Sequence, residues 1–273
     1  MGRRTMDSRT APLAYSRPMA TPQATSHIHR LLDEHWTTTL GVEPSVWRDT
    51  EVVIASHPEP SHADHVYFLR REESCVIVVP QTLVGSTTIA CSSWPSAAVF
   101  DRAFIRSLYG DAVDSIHGPF WLGYATAESF RTVDGRGSRR LEGSADEAAL
   151  AALGAFFSEH EVVDAGFDVP AHRDYGCFLG HELVCAGTLT PFRGQAANIG
   201  VLTHPEHRNR GFATAMVSTL TADALKESGT AQFRVLEENK PALRIARVLG
   251  YVEDAHTMEV VLKVPTQGAA FND

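Results

Sequence analysis

The chain has 273 residues, of which 44% are hydrophobic and 21% charged, and its formal net charge is −9. This composition is typical of a globular protein with an ordinary buried core. No apolar run approaches the roughly 18 residues that a membrane span needs, and an acidic chain without a basic patch is not expected to bind nucleic acid.

The first 25 residues predict a disordered leader, because they are rich in Pro, Ser, Thr and Arg and have no hydrophobic period. Arg3 and Arg4 precede no apolar stretch of signal-peptide length, so we expect a cytoplasmic protein. The cysteines lie in apolar, strand-like segments without C-x-x-C spacing, which indicates free, buried thiols. They are Cys75, Cys91, Cys177 and Cys185.

Residues 26–136 predict a smaller α/β domain. Its segments are a helix from residue 26 to near Gly41, strands in "TEVVIASH", "HVYFLRR" and "SCVIVVP", a helix from Pro95 to Gly110, and a strand in "GPFWLGYATAESF". The glycine-rich, charged segment 131–140 then predicts a linker, with a domain boundary near residue 137.

Three histidines within nine residues, in "HPEPSHADH", pose the question of a metal site. They are His57, His62 and His65. Pro58 and Pro60 exclude the helical i, i+4 spacing of a zinc peptidase, so we expect a solvated loop and no metal.

Residues 137–265 predict a second domain, followed by a tail at 266–273. Ser144 and Glu147 predict a capping box at the start of a helix, and Gly180-His181 predicts the turn of a β-hairpin. The later segments are a strand in "AANIGVLTHP", a helix from about 213 to 228, a strand in "AQFRVLE", a helix between Asn239 and Gly250, and a strand in "YVEDAHTMEVVLK".

The stretch "HPEHRNRGFATAMV" (204–217) is a loop rich in nitrogen donors that leads into an apolar helix. A helix N-terminus carries about half a positive charge, and Gly211 would let the backbone approach an anion closely. Arg208 and Arg210 flank the loop with further charge. These features favour a pyrophosphate site, and the alternative is a polar loop with two solvated arginines.

In its context this stretch resembles the acyl-CoA-binding motif of the GNAT superfamily of N-acetyltransferases, [RQ]-x-x-G-x-[GA] after a strand. Arg208, Gly211 and Ala213 occupy its three defining positions. The segment "ENKPALRIARVLGYVE" is similar to the family's downstream helix, and the resemblance covers roughly residues 138–265. Its recurring positions are Asn239, Ala242, Gly250 and Tyr251.

The resemblance implies an α/β (α+β) fold with a mixed, mostly antiparallel sheet, flanked by helices. The sheet would splay between its fourth and fifth strands, here "AANIGVLTH" and "AQFRVLE", and acetyl-CoA would lie in the gap. The N-terminal domain could be a degenerate GNAT-like copy. The residues assigned to the cofactor are Val201, Leu202, Thr203, Arg208, Asn209, Arg210, Gly211, Phe212, Ala213, Thr214, Asn239 and Ala242.

The resemblance implies that a bound amine attacks the acetyl-CoA thioester directly. We expect neither a metal ion nor a membrane to take part, and a homodimer is possible. The acceptor would be a small-molecule amine or a peptide N-terminus. Where many relatives carry a tyrosine general acid, this chain has Ala246. Glu161 and Glu237 are candidate bases, with solvated carboxylates as the alternative for both.

A non-catalytic acyl-CoA sensor is the alternative function, because the missing tyrosine allows it. Since every cofactor motif lies after residue 200, a chain that begins near residue 137 is expected to keep acetyl-CoA affinity and lose acceptor turnover.

Overall fold

The computed structural model describes residues 32–48, 51–58, 64–169, 172–192 and 195–263. The predicted leader and tail, and His62, lie outside these ranges. The helices are α1 (32–40), α2 (Val84–Cys91), α3 (Ser96–Val99), α4 (Arg102–Tyr109), α5 (Ser144–Gly154), α6 (Glu159–Asp164), α7 (Phe212–Ser228) and α8 (Lys240–Leu249). The strands are β1 (Val52–Ser56), β2 (His65–Arg71), β3 (Ser74–Val79), β4 (Val113–Thr126), β5 (Arg139–Arg140), β6 (Arg173–Leu179), β7 (Glu182–Phe192), β8 (Gln195–Thr203), β9 (Thr230–Leu236) and β10 (Val252–Leu262).

The ten strands form one mixed sheet in the order β1-β3-β2-β10-β4-β9-β8-β7-β6-β5. Only β1 with β3 and β8 with β9 pair in parallel among the described strands. The predicted mixed, mostly antiparallel sheet is thus confirmed, and so is the two-residue hairpin turn between β6 and β7.

Helices cover both faces of the sheet. Phe212 of α7 and Leu243 of α8 pack in one cluster with Trp121 of β4. Trp36 of α1 packs in another cluster with Leu122, the next residue of β4. Successive strand residues point to opposite faces, so α1 lies on the face opposite α7 and α8. None of the helices in the described ranges combines the length and apolarity that crossing a bilayer requires.

Strand β4 connects the two predicted domains, because it lies between β9 and β10. Its residues 120–126 pair with β9, and its residues 113–124 pair with β10. Strand β10 also pairs with β2. The predicted boundary near residue 137 therefore falls between two strands of one continuous sheet, and the division into two domains stays a prediction.

Two local predictions require correction, and one helix has no counterpart among the predicted elements. The predicted helix from Pro95 to Gly110 is two helices, because the Asp101 side chain accepts hydrogen bonds from two N–H groups and starts α4 anew. Helix α2, which is rich in small and β-branched residues, was not predicted. The predicted capping box at Ser144 is also wrong: Gly143 is the N-cap of α5, and its φ is 81°.

A buried ion pair joins the N-terminal segment to the last strand. Arg71 of β2 donates to Asp254 of β10 over 2.8 Å, and the two side chains are 8% and 0% exposed. The other oxygen of Asp254 accepts the indole N–H of Trp36 over 2.9 Å. The pair therefore ties α1, β2 and β10 together.

Removal of Asp254 should destabilise the protein strongly, because it leaves the buried Arg71 guanidinium with only the exposed carboxylate of Asp33, 2.6 Å away, as an ionic partner. It also removes the acceptor of the Trp36 indole N–H. We expect Asp254→Ala to lower the free energy of unfolding by about 3–5 kcal/mol in urea titrations. Glu227→Ala is the matched control, since it breaks a partly exposed pair with Arg173 and should cost about 1 kcal/mol or less. Equal losses in the two variants would contradict the role given to the buried pair.

Candidate functional site

A gap opens between β8 and β9. The two strands pair only at Ala197 with Ala231 and at Asn198 with Gln232. Beyond that point β8 continues beside β7 as far as Thr203, and β9 continues beside β4. The sheet therefore splays between the two strands that the sequence indicated, and the gap widens toward their C-terminal ends.

Backbone groups of β8 face into this gap. The N–H of His204 donates to the carbonyl of Val184 in β7 over 3.0 Å. Hydrogen-bonding direction alternates along a strand, so the N–H and C=O of Thr203 and Val201 point away from β7 and toward the gap. By the same alternation the backbone of Leu202 faces β7. Of the three assigned strand residues, Val201 and Thr203 are thus placed to bind an extended chain.

The start of α7 supplies free N–H donors at the wide end of the gap. Gly211 is the N-cap, with φ of 83° and no side-chain cap. The N–H groups of Phe212, Ala213 and Thr214 have no partners within the helix, as in any first helical turn. Asn209, two residues before Gly211 in the loop, also has a positive φ. This geometry can bind an anion, because several donors and the positive end of α7 converge on it.

An arginine that the sequence motif does not contain lies over this helix start. The guanidinium carbon of Arg136 is 5.1 Å from the ring centroid of Phe212. A Cβ placed on Gly211 would lie 3.4 Å from an Nη atom of Arg136. No carboxylate of the described residues lies within ion-pair distance of this guanidinium. Arg136 therefore adds an unpaired positive charge where the donors of α7 converge.

The segment that carries Arg136 is fastened along α7 and is not a free linker. The hydroxyl of Ser218 exchanges hydrogen bonds with both backbone groups of Val133. A Cβ on Gly135 would lie only 2.6 Å from the Thr219 hydroxyl, so the backbone touches the helix here. Local sequence offers no signal for this docking, since the contacts join residues more than 80 positions apart.

The loop arginines hold the turn between β8 and α7. Arg208 donates from Nε to the carbonyl of Thr203 over 3.3 Å. Arg210 donates to Nδ1 of His207 over 3.0 Å. Both side chains belong to exposed residues, so they remain accessible to a phosphate.

Glu182, His204 and His207 bring potential metal-ligand atoms within 4.8 Å of one another. Nδ1 of His204 accepts the N–H of Glu206 over 3.2 Å, and Nδ1 of His207 accepts from Arg210. A neutral ring whose Nδ1 accepts carries its proton on Nε2, which leaves no lone pair for a metal. The cluster is therefore built for hydrogen bonding, and we do not assign a metal to it.

The two residues assigned on the downstream helix form its cap. The side-chain oxygen of Asn239 accepts the N–H of Ala242 over 3.1 Å, as the predicted N-cap requires. Ala246 of α8, where relatives carry the tyrosine, is fully buried in the core that α7 and α8 cover. A group at this position contacts no solvent, and alanine has no proton to give.

Glu161 belongs to a capping box. Its carboxylate accepts from the N–H of Ser158 over 2.8 Å and from the Ser158 hydroxyl over 2.9 Å. These hydrogen bonds lower the pKa of Glu161, and a lower pKa makes a weaker base. The placement favours a structural role over the predicted role as a base.

Glu237 lies at the end of β9, beside β4 and β10. It pairs with Nδ1 of His256, whose Nε2 contacts Glu253 at 3.1 Å. Hydrogen bonds to Glu253 and Glu237 raise the pKa of His256. Glu237 is therefore hydrogen-bonded to His256 on the side of β9 away from β8, and this placement does not favour the role of a base in the gap.

Comparisons with known proteins agree with this geometry. The family model for GNAT acetyltransferase matches residues 175–258, which include the gap strands and the start of α7. None of the curated proteins matches the chain.

Several solved structures are similar. A GNAT-family acetyltransferase from Colwellia psychrerythraea is 13% identical, covers 87% of this chain and 97% of its own, and has a TM-score of 0.50. A GNAT-family protein from Novosphingobium aromaticivorans is 19% identical over 56% and 67% of the two chains, with a TM-score of 0.45. A GCN5-related N-acetyltransferase from Kribbella flavida is 19% identical over 61% and 65%, with a TM-score of 0.43.

At such identities the likeness to the Colwellia protein concerns the fold alone, whereas the family model matches the sequence of the site itself. Residues 175–258 match the GNAT acetyltransferase family model, so the resemblance that the sequence indicated is confirmed across this segment.

Proposed function

We propose that the protein is an acetyl-CoA-dependent N-acetyltransferase of the cytoplasm, which transfers an acetyl group to the primary amine of a small molecule or a peptide N-terminus. The observation that carries the proposal is the uncapped start of α7 at the mouth of the β8–β9 gap. Donors there suit the pyrophosphate of coenzyme A, while Val201 and Thr203 suit its amide-bearing arm.

The reaction needs positioning more than a side-chain nucleophile. The amine nitrogen forms a bond to the thioester carbon and the C–S bond breaks. The departing thiolate takes one proton, and the new amide nitrogen releases one. The residues of the gap would hold the thioester in place, and a backbone N–H of β8 would stabilise the oxyanion. With Ala246 in place of an acid, we assign the proton transfers to solvent.

Thiol release from acetyl-CoA in the presence of amines tests the proposal. An enzyme releases the thiol only when a suitable amine is present, whereas the alternative, a non-catalytic acyl-CoA sensor, binds acetyl-CoA without turnover. The buried Ala246 is the observation that keeps the sensor as the second candidate. Failure of the wild-type protein to bind acetyl-CoA in calorimetry would reject both.

Loss of either arginine at the helix start should weaken coenzyme A binding moderately. We expect Arg208→Ala and Arg136→Ala each to raise the Kd by up to about tenfold, or about 1.4 kcal/mol, because the backbone donors remain and solvent screens an exposed charge. Binding of S-acetylpantetheine, which lacks the phosphates, should not change. Arg106→Ala on the exposed side of α4 is the control.

An equal loss of affinity for coenzyme A and for the phosphate-free thioester would show that the arginines act on the fold and not on the phosphates. Circular dichroism of each variant separates the two effects.

A further inference from the structure

A row of polar side chains crosses four strands at the closed end of the gap. Tyr124 of β4 lies opposite Gln232 of β9, Gln232 lies opposite Asn198 of β8, and Asn198 lies opposite Thr190 of β7. Residues directly opposite one another share a face of the sheet. The row therefore lies on one face, the face that carries α1.

The two middle members of the row have buried polar atoms without partners. Neither Nε2 of Gln232 nor Oδ1 of Asn198 has a hydrogen-bond partner in the described parts of the chain. Gln232 is only 1% exposed. Native proteins leave few buried polar atoms unpaired, since each costs about 1–3 kcal/mol. The donor, Nε2 of Gln232, and the acceptor, Oδ1 of Asn198, lie on neighbouring strands about 4.8 Å apart. One bound molecule with both an acceptor and a donor could therefore hydrogen-bond to the two atoms.

Tyr124 fixes which end of the Gln232 amide is free. Its hydroxyl donates to Oε1 of Gln232 over 2.8 Å. Burial raises the pKa of Tyr124 well above its ordinary value, so the hydroxyl keeps its proton and remains a donor. The oxygen of the amide is thereby occupied, and its NH₂ group is the end left to bind.

Packed elements hold both ends of the row in place. Tyr124 belongs to the cluster that contains Trp36 of α1. At the other end, the turn after α6 contacts the sheet: a Cβ on Gly166 would lie 3.3 Å from Thr190, and one on Gly200 would lie 1.7 Å from the carbonyl of Ala165. The unpaired atoms of Asn198 and Gln232 are thus held in fixed positions by packed elements at both ends of the row, as a preorganised site requires.

We propose that Asn198 and Gln232 form the acceptor subsite and that they select a primary amine with an oxygen acceptor one or two carbons away, such as an α-amino amide. The amine N–H would donate to Oδ1 of Asn198, and the oxygen of the acceptor would accept from Nε2 of Gln232. This inference rests on the proposed function, because the thioester at the end of the coenzyme arm must reach the closed end of the gap.

The chemistry of the pair suits an amine nucleophile. Neither side chain is charged, so the site stabilises an ammonium ion less than a carboxylate would and favours the neutral amine that can attack. Asn198 cannot take the proton that the amine loses, so it is a binding and orienting group, and the proton passes to solvent.

Matched amines test the inference. Glycinamide and propylamine are compared as acceptors by thiol release, with kcat/KM expressed per concentration of unprotonated amine. We expect a preference of about tenfold or more for glycinamide, as for one good hydrogen bond to a buried group. Asn198→Ala and the double variant Gln232→Leu/Tyr124→Phe, which removes both partners of the buried bond, should each raise the acceptor KM and reduce the preference.

Two readouts keep the inference separate from the proposed function. The Kd for acetyl-CoA should be unchanged in these variants, and Thr221→Val, which alters a buried hydroxyl on α7, should keep the preference. Equal use of the two amines by the wild-type protein, or an unchanged preference in folded variants, would overturn the subsite. So would normal acetyl-CoA binding with turnover of other primary amines but of neither of these two. A wild-type protein that does not bind acetyl-CoA would instead overturn the proposed function, and the subsite with it.

Discussion

Gly211→Asp should reduce acetyl-CoA binding by roughly a hundredfold or more, about 2.8 kcal/mol. The new carboxylate would stand at the positive end of α7, where it sets like charge against the pyrophosphate and competes for the same N–H donors. It would also lie beside Arg136, whose nearest atom is 3.4 Å from the Cβ position. The introduced carboxylate would therefore occupy the space of the pyrophosphate and also form an ion pair with Arg136.

The fold should tolerate this change, because aspartate adopts positive φ more readily than most residues. Gly180→Asp is the matched control: Gly180 has φ of 63°, lies in the exposed hairpin turn and has open space around its Cβ position. Gly211→Asn separates bulk from charge and should bind with intermediate affinity. Calorimetric titration with acetyl-CoA measures all three. Wild-type affinity in folded Gly211→Asp would reject the assignment of the pyrophosphate to the start of α7.

The elements that form the gap could be predicted because their signals are local. Gly180-His181 specifies a two-residue turn, Gly211 and Gly229 flank α7 with positive φ, and Asn239 caps α8 through its own side chain. In each case the residues that determine where a helix or strand begins or ends lie within four positions of that boundary. The spacing of Arg208, Gly211 and Ala213 is equally local, which is why the anion site could be inferred from the sequence.

What could not be predicted depends on which side-chain contacts form, among near neighbours at α5 and between distant residues at the candidate site. The capping box was assigned to Ser144 because its pattern fits, but the same pattern at Ser158 and Glu161 is the one that forms. Asp146, which lies three residues after the N-cap Gly143, instead accepts from Arg139 and from the N–H of Glu142. At α5 the helix begins after Gly143 without a side-chain cap, although the pattern of a capping box is present.

Arg136 illustrates the same limit at the candidate site. Its segment has the glycines and charges of a linker, yet hydrogen bonds to Ser218 fasten it to α7. The orphan atoms of Asn198 and Gln232 likewise become visible only when β8 and β9 are placed side by side. The placement of Asn198 beside Gln232 thus depends on sheet pairing, which a single sequence does not specify.

The largest effect on the fold is expected from removal of residues 1–136. The sequence placed every cofactor motif after residue 200 and so predicted that this truncation would spare acetyl-CoA binding. The sheet order argues against that expectation, because the truncation deletes β4 from between β9 and β10. Trp121 and Ala125, which pack with Phe212 in the core of the site, would be lost with it.

A chain that begins at residue 137 should therefore fail to fold, since it exposes the facing edges of β9 and β10 and opens the core beneath α7. We expect aggregation or a molten state, with no cooperative thermal transition in circular dichroism and no acetyl-CoA binding. A chain that begins near residue 26 retains β4 and should melt and bind as the full chain does. If the shorter chain instead remained a monomer with a cooperative transition and bound acetyl-CoA within a few-fold of the full chain, β4 would be dispensable. The boundary near residue 137 would then separate two domains that fold independently.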